Sequence, residues 1–389
     1  MPNGGARLNK VKKLISVILC VMTVFFCIPA YADGEVATLS VISANVSGLP
    51  EILSKYDRDV PRSQKTLGRM LCGSGYDIIC VQEDFGYHDI LAAEMKDYPY
   101  RTYATGGVPI GDGLNIFSKY PLYNVERVKW DKHNGVFSDG ADALTPKGFL
   151  KCTVDVGDIL IDLYNVHCDA YRTDADQLVK KAQLIQLTEY IEANSAGRPV
   201  LVTGDTNLTF HNDPLSEMYR IMISEGGFTD CWVEVKNNGN YFEGDDGPAL
   251  IQSWYDKFGG HDWGRWDSVE RVLYRDGGGV SFTPTRFEYT IYTDMPNQIK
   301  ALTDHRIMEC VLELDTDNYQ KPSMTLTKED EPSYMYTNFR RGIMTARCVF
   351  IIFVEILTLN LPATAAVLLA LTALVILIKK HKSKKKKSA

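Results

Sequence analysis

Seven polar residues scattered along the 389-residue chain share one setting: each flanks a short apolar run of the kind that folds as a strand. They are Asn45, Glu83, His167, Asp205, Asn207, Asp304 and His305. Hydrolysis of a phosphoester asks for this set. A hard divalent cation takes oxygen ligands, one or two carboxylates with several waters retained, and Glu83 suits that role. Negative charge that grows on phosphoryl oxygens needs hydrogen-bond donors, which Asn45, Asn207 and His167 can supply. An attacking water needs a base, and imidazole titrates in the useful range. His305 is the candidate, with a neighbouring carboxylate to hold its tautomer.

The elements that must carry these groups are legible as periodic runs. Pro199-Val200-Leu201-Val202-Thr203-Gly204 predicts a buried strand leading into Asp205-Thr206-Asn207. If extended geometry persists past Gly204, Asp205 and Asn207 point to one side, because strand side chains alternate with a period of two. Ala37 to Asn45 predicts a strand, as does Asp77 to Val81, which delivers Gln82-Glu83. Lys151 to Val156 and Ile159 to Val166 read as an antiparallel pair turning at Gly157-Asp158 and delivering His167. Apolar residues at Leu178, Ala182 and Ile185, and at Leu184, Leu187 and Ile191, predict a helix over 174–193. Shorter helices are expected after Pro61 and from His88 to Lys96, with strands over 269–274 and 307–314 and loops from 226 to 264.

Six of these segments have a recognisable spelling: Ser43-Ala44-Asn45, Val81-Gln82-Glu83, Gly113 to Pro121, Tyr164-Asn165-Val166-His167, Gly204 to Asn207, and Thr303-Asp304-His305. Their order resembles the endonuclease/exonuclease/phosphatase superfamily, which includes DNase I-like nucleases, neutral sphingomyelinases and inositol polyphosphate 5-phosphatases. The resemblance covers about residues 37–314. It implies an α/β (α+β) fold of the DNase I type, a four-layer sandwich of two packed mixed β-sheets flanked by helices. It also implies Mg2+, with Mn2+ or Ca2+ as alternatives, held by Glu83 with Asn45 close to metal and phosphate. His167 would contact a phosphate oxygen and assist the leaving group, Asp205 would position or deprotonate water, and Asn207 would hold the phosphate. Asp304 would orient His305, the base. Where the family usually has Asp, this chain has Glu270, one methylene longer, which is assigned only a supporting contact.

The two ends of the chain differ from the middle. Arg7, Lys10, Lys12 and Lys13 precede an apolar run from Leu14 to Ile28 and then Ala30-Tyr31-Ala32, so residues 1–32 are expected to be a signal peptide. Residues 33–314 form the expected catalytic domain and 315–348 a stalk. The apolar stretch 349–378 is expected to cross a membrane, with the lysine-rich tail 379–389 in the cytoplasm. Leu361-Pro362-Ala363-Thr364-Ala365 leaves a second reading open, a cell-wall sorting signal; a secreted form is the third. Either attachment puts the domain outside the cell.

Residues 33–348 hold 31 basic and 48 acidic side chains, a balance of -17. That sign repels phosphate backbones at long range, which disfavours a nucleic-acid substrate while leaving room for a local basic groove. Seven cysteines lie outside the leader with irregular spacing and no CxxC pair, so a zinc site is not expected. The expected activity is therefore a surface-anchored, Mg2+-dependent phosphodiesterase, acting as a monomer. The acidic balance, the adjacent membrane and Leu144-Thr145-Pro146-Lys147-Gly148-Phe149, which resembles a segment of the sphingomyelinase branch, favour a phospholipid. An extracellular nuclease is the alternative; a phosphomonoesterase and a non-catalytic binding protein follow. Trp254, Trp263 and Trp266 could wall the site or meet a membrane surface.

Overall fold

The computed structural model describes residues 37–49, 59–103, 111–135, 142, 147–170, 173–208, 217–241, 269–290, 292–295 and 298–331, with scattered positions between 342 and 354. The expected leader, most of the expected membrane span, the lysine tail and the three tryptophans at 254, 263 and 266 lie outside the described residues. No helix among the described residues is long and apolar enough to cross a membrane. The chain divides into two units, Met1–Ala37 and Thr38–Ala389, and only Ala37 of the first is described.

In chain order the elements are β1 (Ala37–Asn45), α1 (Val60–Gly73), β2 (Ile78–Gln82), α2 (His88–Ala92), β3 (Tyr100–Arg101), β4 (Asn115–Ser118), β5 (Leu122–Lys129), β6 (Gly148–Val156), β7 (Ile159–His167), α3 (Asp174–Ser195) and β8 (Val200–Asp205). A π-helix over Tyr219–Glu225 follows, then β9 (Thr229–Asp230), α4 (Cys231–Lys236), β10 (Glu270–Arg275), β11 (Ser281–Thr290), β12 (Thr293–Met295), β13 (Gln298–Ala301) and β14 (Ile307–Asp315). One six-stranded sheet has the order β11-β14-β1-β2-β4-β3, the other β5-β6-β7-β8-β10-β9. Both are mixed: β1 runs parallel to β2 and β7 parallel to β8, while β2–β4, β6–β7 and β8–β10 are antiparallel.

The layers follow from alternation. Along β1 and β2, Ile42, Ala44, Ile79 and Val81 join Leu67, Leu71, Leu91 and Met95 in one buried cluster, so α1 and α2 cover that face. Truncating Leu67 or Leu71 there would cost about 2–5 kcal/mol. The opposite face carries Ser43, Asn45, Cys80 and Gln82, all buried, toward the second sheet. Gln82 Nε2 donates to Asn165 Oδ1 of β7 at 2.7 Å, and Asn165 Nδ2 returns to the carbonyls of Val81 and Asn115 at 2.9 and 3.1 Å. On the far side, Phe149 of β6 and Tyr164 of β7 stack against Tyr190 of α3, with ring centroids 5.0 and 6.3 Å apart. A Thr173–Asp176 capping box starts α3. The fold is the two-sheet, four-layer α/β sandwich expected.

The helices fall near their predicted places, but α2 stops at Ala92, short of the predicted Lys96. The loop-rich reading of 226–264 missed β9 and α4, which are short. It is more telling that β11, ten residues long, escaped the periodicity. Pro284 interrupts it, and the pairing with β14 slips between Pro284 and Arg286. Proline is tolerated only in an edge strand or a bulge, and β11 is an edge strand.

The described part of the expected stalk does not stand off the domain. From Asp315 to Glu331 it runs back along the sandwich as a strap. Leu160 N donates to the Tyr319 hydroxyl at 2.9 Å, and Asn124 of β5 exchanges bonds with Thr325 and Thr327 at 2.7–3.0 Å. Tyr103 N donates to Glu329 Oε2 at 3.4 Å. A sequence this polar reads as solvated linker; its bonds are made to backbone groups of distant strands, which leave no local pattern.

Candidate active site

The site stands at one end of the sandwich, where β1, β2, β7 and β8 finish and β10 begins. His167, Asp205 and Glu270 form a single row: His167 is the register partner of Asp205 in the parallel pair, and Asp205 that of Glu270 in the antiparallel pair. Register alone therefore brings three groups together. Asn45 faces them from the other sheet, its Nδ2 donating to Asp205 Oδ2 and to Glu83 Oε1, each at 3.1 Å. Thr303 Oγ1 donates to the Asn45 carbonyl at 2.7 Å, which ties the Asp304-His305 segment to the end of β1.

Two glycines permit this convergence. Gly204 has a φ of +137°, and a Cβ there would lie 2.0 Å from the Val166 carbonyl, so only glycine lets β8 approach β7. Glu83 leaves the extended conformation with a φ of +55°. In an unbroken strand it would point away from Gln82's side; the left-handed turn swings it to Asn45. For a non-glycine residue this costs about 1–3 kcal/mol. The turn is held by Gly48 N and Phe85 N, both donating to the Glu83 carbonyl at 2.9 Å. A Cβ on Gly48 would come within 2.6 Å of that same oxygen.

His305 is oriented differently from the expectation. Its Nδ1 lies 2.6 Å from Glu270 Oε1 and 3.6 Å from Asp205 Oδ2. Glu270, given only a supporting place, is the direct partner, and the assignment of Asp304 to that task is corrected. Neighbouring residues in a non-helical segment point apart, whereas Glu270 comes from a facing strand and its extra methylene closes the distance. The charge of Asp304 raises both the Glu83 carboxyl and the His305 imidazole. Asn207 also departs from expectation. Extended geometry ends at Asp205, Asn207 has a φ of +52°, and its Nδ2 donates to the Cys168 carbonyl at 3.1 Å. One of its two amide hydrogens is thus committed to backbone.

The electrostatics are those of buried groups at close quarters. Burial, together with the charge of Asp304, pushes Glu83 upward against His305, Lys147 and Asn45. Burial and Glu270 push Asp205 upward in the same way. Burial alone would lower His305, but the bond to Glu270 and the charges of Asp205 and Asp304 outweigh it, so the imidazole holds its proton well above the ordinary range. His167 goes the other way: burial, with Lys147 and His305 nearby, keeps it neutral. Its Nε2 lies 3.8 Å from Asp205 Oδ2 and 4.0 Å from Glu83 Oε1, and its buried Nδ1 makes no hydrogen bond.

Several groups that composition left anonymous belong to this surround. Lys147 is buried with its Nζ 2.8 Å from Asp142 Oδ1 and 3.2 Å from the Cys168 carbonyl. Burial would lower it, yet Asp142, Glu83 and Asp205 raise it. Asp142 is this lysine's buried partner. His88 is buried with Nδ1 2.5 Å from Asp84 Oδ2. His133 Nδ1 sits 3.3 Å from Asp169 Oδ1. His133 and Asp169 lie 36 positions apart and leave no local signal. Asp84 and His88, and Asp142 and Lys147, are close in sequence, and what the sequence did not show is that each pair is buried.

The site fits a hard cation. Glu83 is half-buried, its carboxylate takes one donated bond from Asn45, and burial with the charge of Asp304 raises it, a penalty on the carboxylate that a divalent ion would relieve. Among the described residues no group of three or more His, Cys, Asp and Glu gathers into a ready-made cage. Mg2+ does not ask for one, because it keeps most of its waters and takes one or two carboxylates.

Comparison with known proteins agrees with this architecture. Over 276 residues the chain is 29% identical to a sphingomyelinase of Mycobacterium tuberculosis, covering 68% of this chain and 51% of that protein. It is 26% identical over 216 residues to a putative neutral sphingomyelinase of Caenorhabditis elegans, covering 51% of this chain and 48% of that one. The chain thus spans about half the length of the curated relatives it matches. Among solved structures, a magnesium-bound double mutant of the beta toxin of Staphylococcus aureus superposes with a TM-score of 0.51 at 15% identity, over 70% of this chain and 99% of that one. A TDP2 of D. rerio, in complex with a single-strand DNA product, gives 0.53 at 15% identity, over 71% and 99%. These superpositions speak to the fold. Residues 42–294 match the endonuclease/exonuclease/phosphatase family, and the chain belongs to it.

Proposed function

We propose that this protein is a divalent-cation-dependent phosphodiesterase acting on a phospholipid of the sphingomyelin type. The observation that carries the reading is the meeting of Glu83, Asn45, His167, Asp205 and the Glu270–His305 pair at one end of the sandwich. Glu83 and Asn45 would hold Mg2+, which when bound supplies positive charge to the phosphoryl oxygens. With Nδ1 committed to Glu270, Nε2 of His305 is the atom left to take a proton from water. The water oxygen would then bond to phosphorus as the ester P–O bond breaks. Asp205 would align that water, while His167, Asn45, Asn207 and Lys147 face the developing charge as donors. The departing alcohol oxygen takes up a proton, and His167 is the group assigned to assist it.

The lipid is favoured by the sphingomyelinase relatives and by Lys147 of the Lys-Gly segment, whose buried ammonium acts on Glu83 and Asp205. A panel of sphingomyelin, phosphatidylcholine, single- and double-stranded DNA and phosphomonoesters, each with Mg2+ and with chelator, tests the reading. Release of phosphocholine that the chelator abolishes is the expected result. Cleavage of DNA with no lipid turnover would reassign the substrate, and no cation-dependent turnover on any member would leave a binding protein. Export and surface anchoring belong to the same proposal and rest on the apolar runs at 14–28 and 349–378 with their flanking lysines. Protease digestion of intact cells should remove the domain; a protected domain would refute that placement.

A further inference from the structure

Arg127 lies on β5, the edge strand of the second sheet, yet almost every bond of its guanidinium goes to the first. Its Nη1 donates to Asp112 Oδ1 and Oδ2 at 2.7 and 2.9 Å and to the Leu114 carbonyl at 2.7 Å. Its Nη2 donates to the Tyr103 carbonyl at 2.5 Å and to Asn115 Oδ1 at 3.1 Å. The side chain is 12% exposed and that of Asp112 9%. One planar group thus gathers four residues of the turn and strand that precede and begin β4, and of the end of β3. Only an arginine fork reaches acceptors in several directions at once.

That turn is the second support of Glu83. Asp84 N donates to the Gly113 carbonyl at 2.9 Å, and Asn115 Nδ2 donates to Asp84 Oδ2 at 2.9 Å. Asp84 is buried and directly follows Glu83, whose left-handed backbone is also held through its carbonyl by Gly48 and Phe85; Asp84 Oδ2 lies 2.5 Å from His88 Nδ1 as well. Arg127 fixes the Asn115 amide by its oxygen, so the nitrogen must face Asp84. With the guanidinium gone, the Gly111–Leu114 turn keeps no side-chain anchor to the opposite sheet among these bonds, and beside its bond to Asp84 the Asn115 amide keeps only the longer contacts to Thr102 Oγ1 and His88 Nδ1, each at 3.3 Å.

We propose that Arg127 is a positioning residue for the cation-binding carboxylate: by gripping the Asp112–Asn115 turn from the opposite sheet it fixes Asp84 and, through it, the direction of Glu83. This rests on the reading of Glu83 as the cation's ligand. Partners one step removed from a ligand set metal affinity by orienting it, and their loss costs about 10- to 100-fold in affinity or activity.

The test is Mn2+ binding by the full-length protein, followed by loss of the free-ion paramagnetic resonance signal, beside turnover against Mg2+ concentration. Arg127→Lys keeps a positive charge opposite Asp112, and so most of the stability, but one ammonium cannot bridge the four partners. Arg127→Met combined with Asp112→Asn removes both charges and leaves no buried ion unpaired. Thermal unfolding without metal establishes that each variant is folded. Both should bind Mn2+ about tenfold more weakly or worse, with turnover recovering toward the wild-type rate at saturating Mg2+. Folded variants that bind Mn2+ as tightly as the wild type overturn the inference alone. Wild-type protein that takes up no Mn2+ overturns the cation assignment and the inference together.

Discussion

Glu270 Oε1 and His305 Nδ1 lie 2.6 Å apart, on a strand and a loop separated by 35 positions in the chain. The bond fixes which imidazole nitrogen can act, and it raises the affinity of that imidazole for a proton. Glu270→Gln keeps the shape and removes the charge. It should lower kcat by about 10²-fold or more and move the acid limb of the pH–rate profile to lower pH, because His305 would lose its proton more readily. His305→Ala should abolish turnover, and adding Glu270→Gln to it should cost nothing further. Steady-state rates of the three variants decide this; fully additive losses would separate the two residues.

Glu83→Gln replaces the proposed cation ligand with a neutral isostere. The Mg2+ concentration for half-maximal activity should rise about tenfold or more, while metal-free stability should hold or increase, since a carboxylate pushed upward by burial and Asp304 is relieved. Titration of activity against Mg2+ and a thermal melt in chelator check both. An unchanged Mg2+ requirement would remove Glu83 from the cation site.

His305, Glu83 and Asp205 all hold protons more tightly in the folded chain than in the unfolded one. Such a group contributes stability that is complete below its unfolded pKa and is lost as pH rises through its higher folded value. His167 runs oppositely, its lowered value opposing folding only below about 6.5. Above that pH the raised groups act unopposed by it, so the metal-free protein should lose stability from about pH 6.5 upward. Urea unfolding in chelator across that range measures the slope. His305→Ala should flatten it, and equal slopes in variant and wild type would contradict the assignment.

The strap makes its own prediction. Asn124 has a φ of +50° and trades two side-chain bonds with the backbone of Thr325 and Thr327. Asn124→Gly should cost about 1–2 kcal/mol for the lost bonds. Asn124→Ala should cost roughly 1 kcal/mol more, because alanine resists the left-handed conformation. Chemical denaturation of both variants gives the ordering. Wild-type stability in each would mean that the strap contributes nothing to the domain.

Residue order alone marked the strands that carry the site and the polar group at the end of each, because alternation and turn chemistry act within a few neighbours; it missed β11, where Pro284 breaks the alternation. It was enough to mark Asn45, Glu83, His167, Asp205, Asn207, Asp304 and His305, and the four-layer fold followed from the family that their order resembles. It could not pair them. Glu270 lies opposite Asp205 only through the β8–β10 register, and that register joins segments 65 positions apart. The exchange of Asp304 for Glu270 beside His305, the retreat of Asn207 onto Cys168 and the Arg127 clamp were all decided by tertiary contact. A hydrogen bond is set by distance and direction in space, and at long chain separation neither is written in the order of residues.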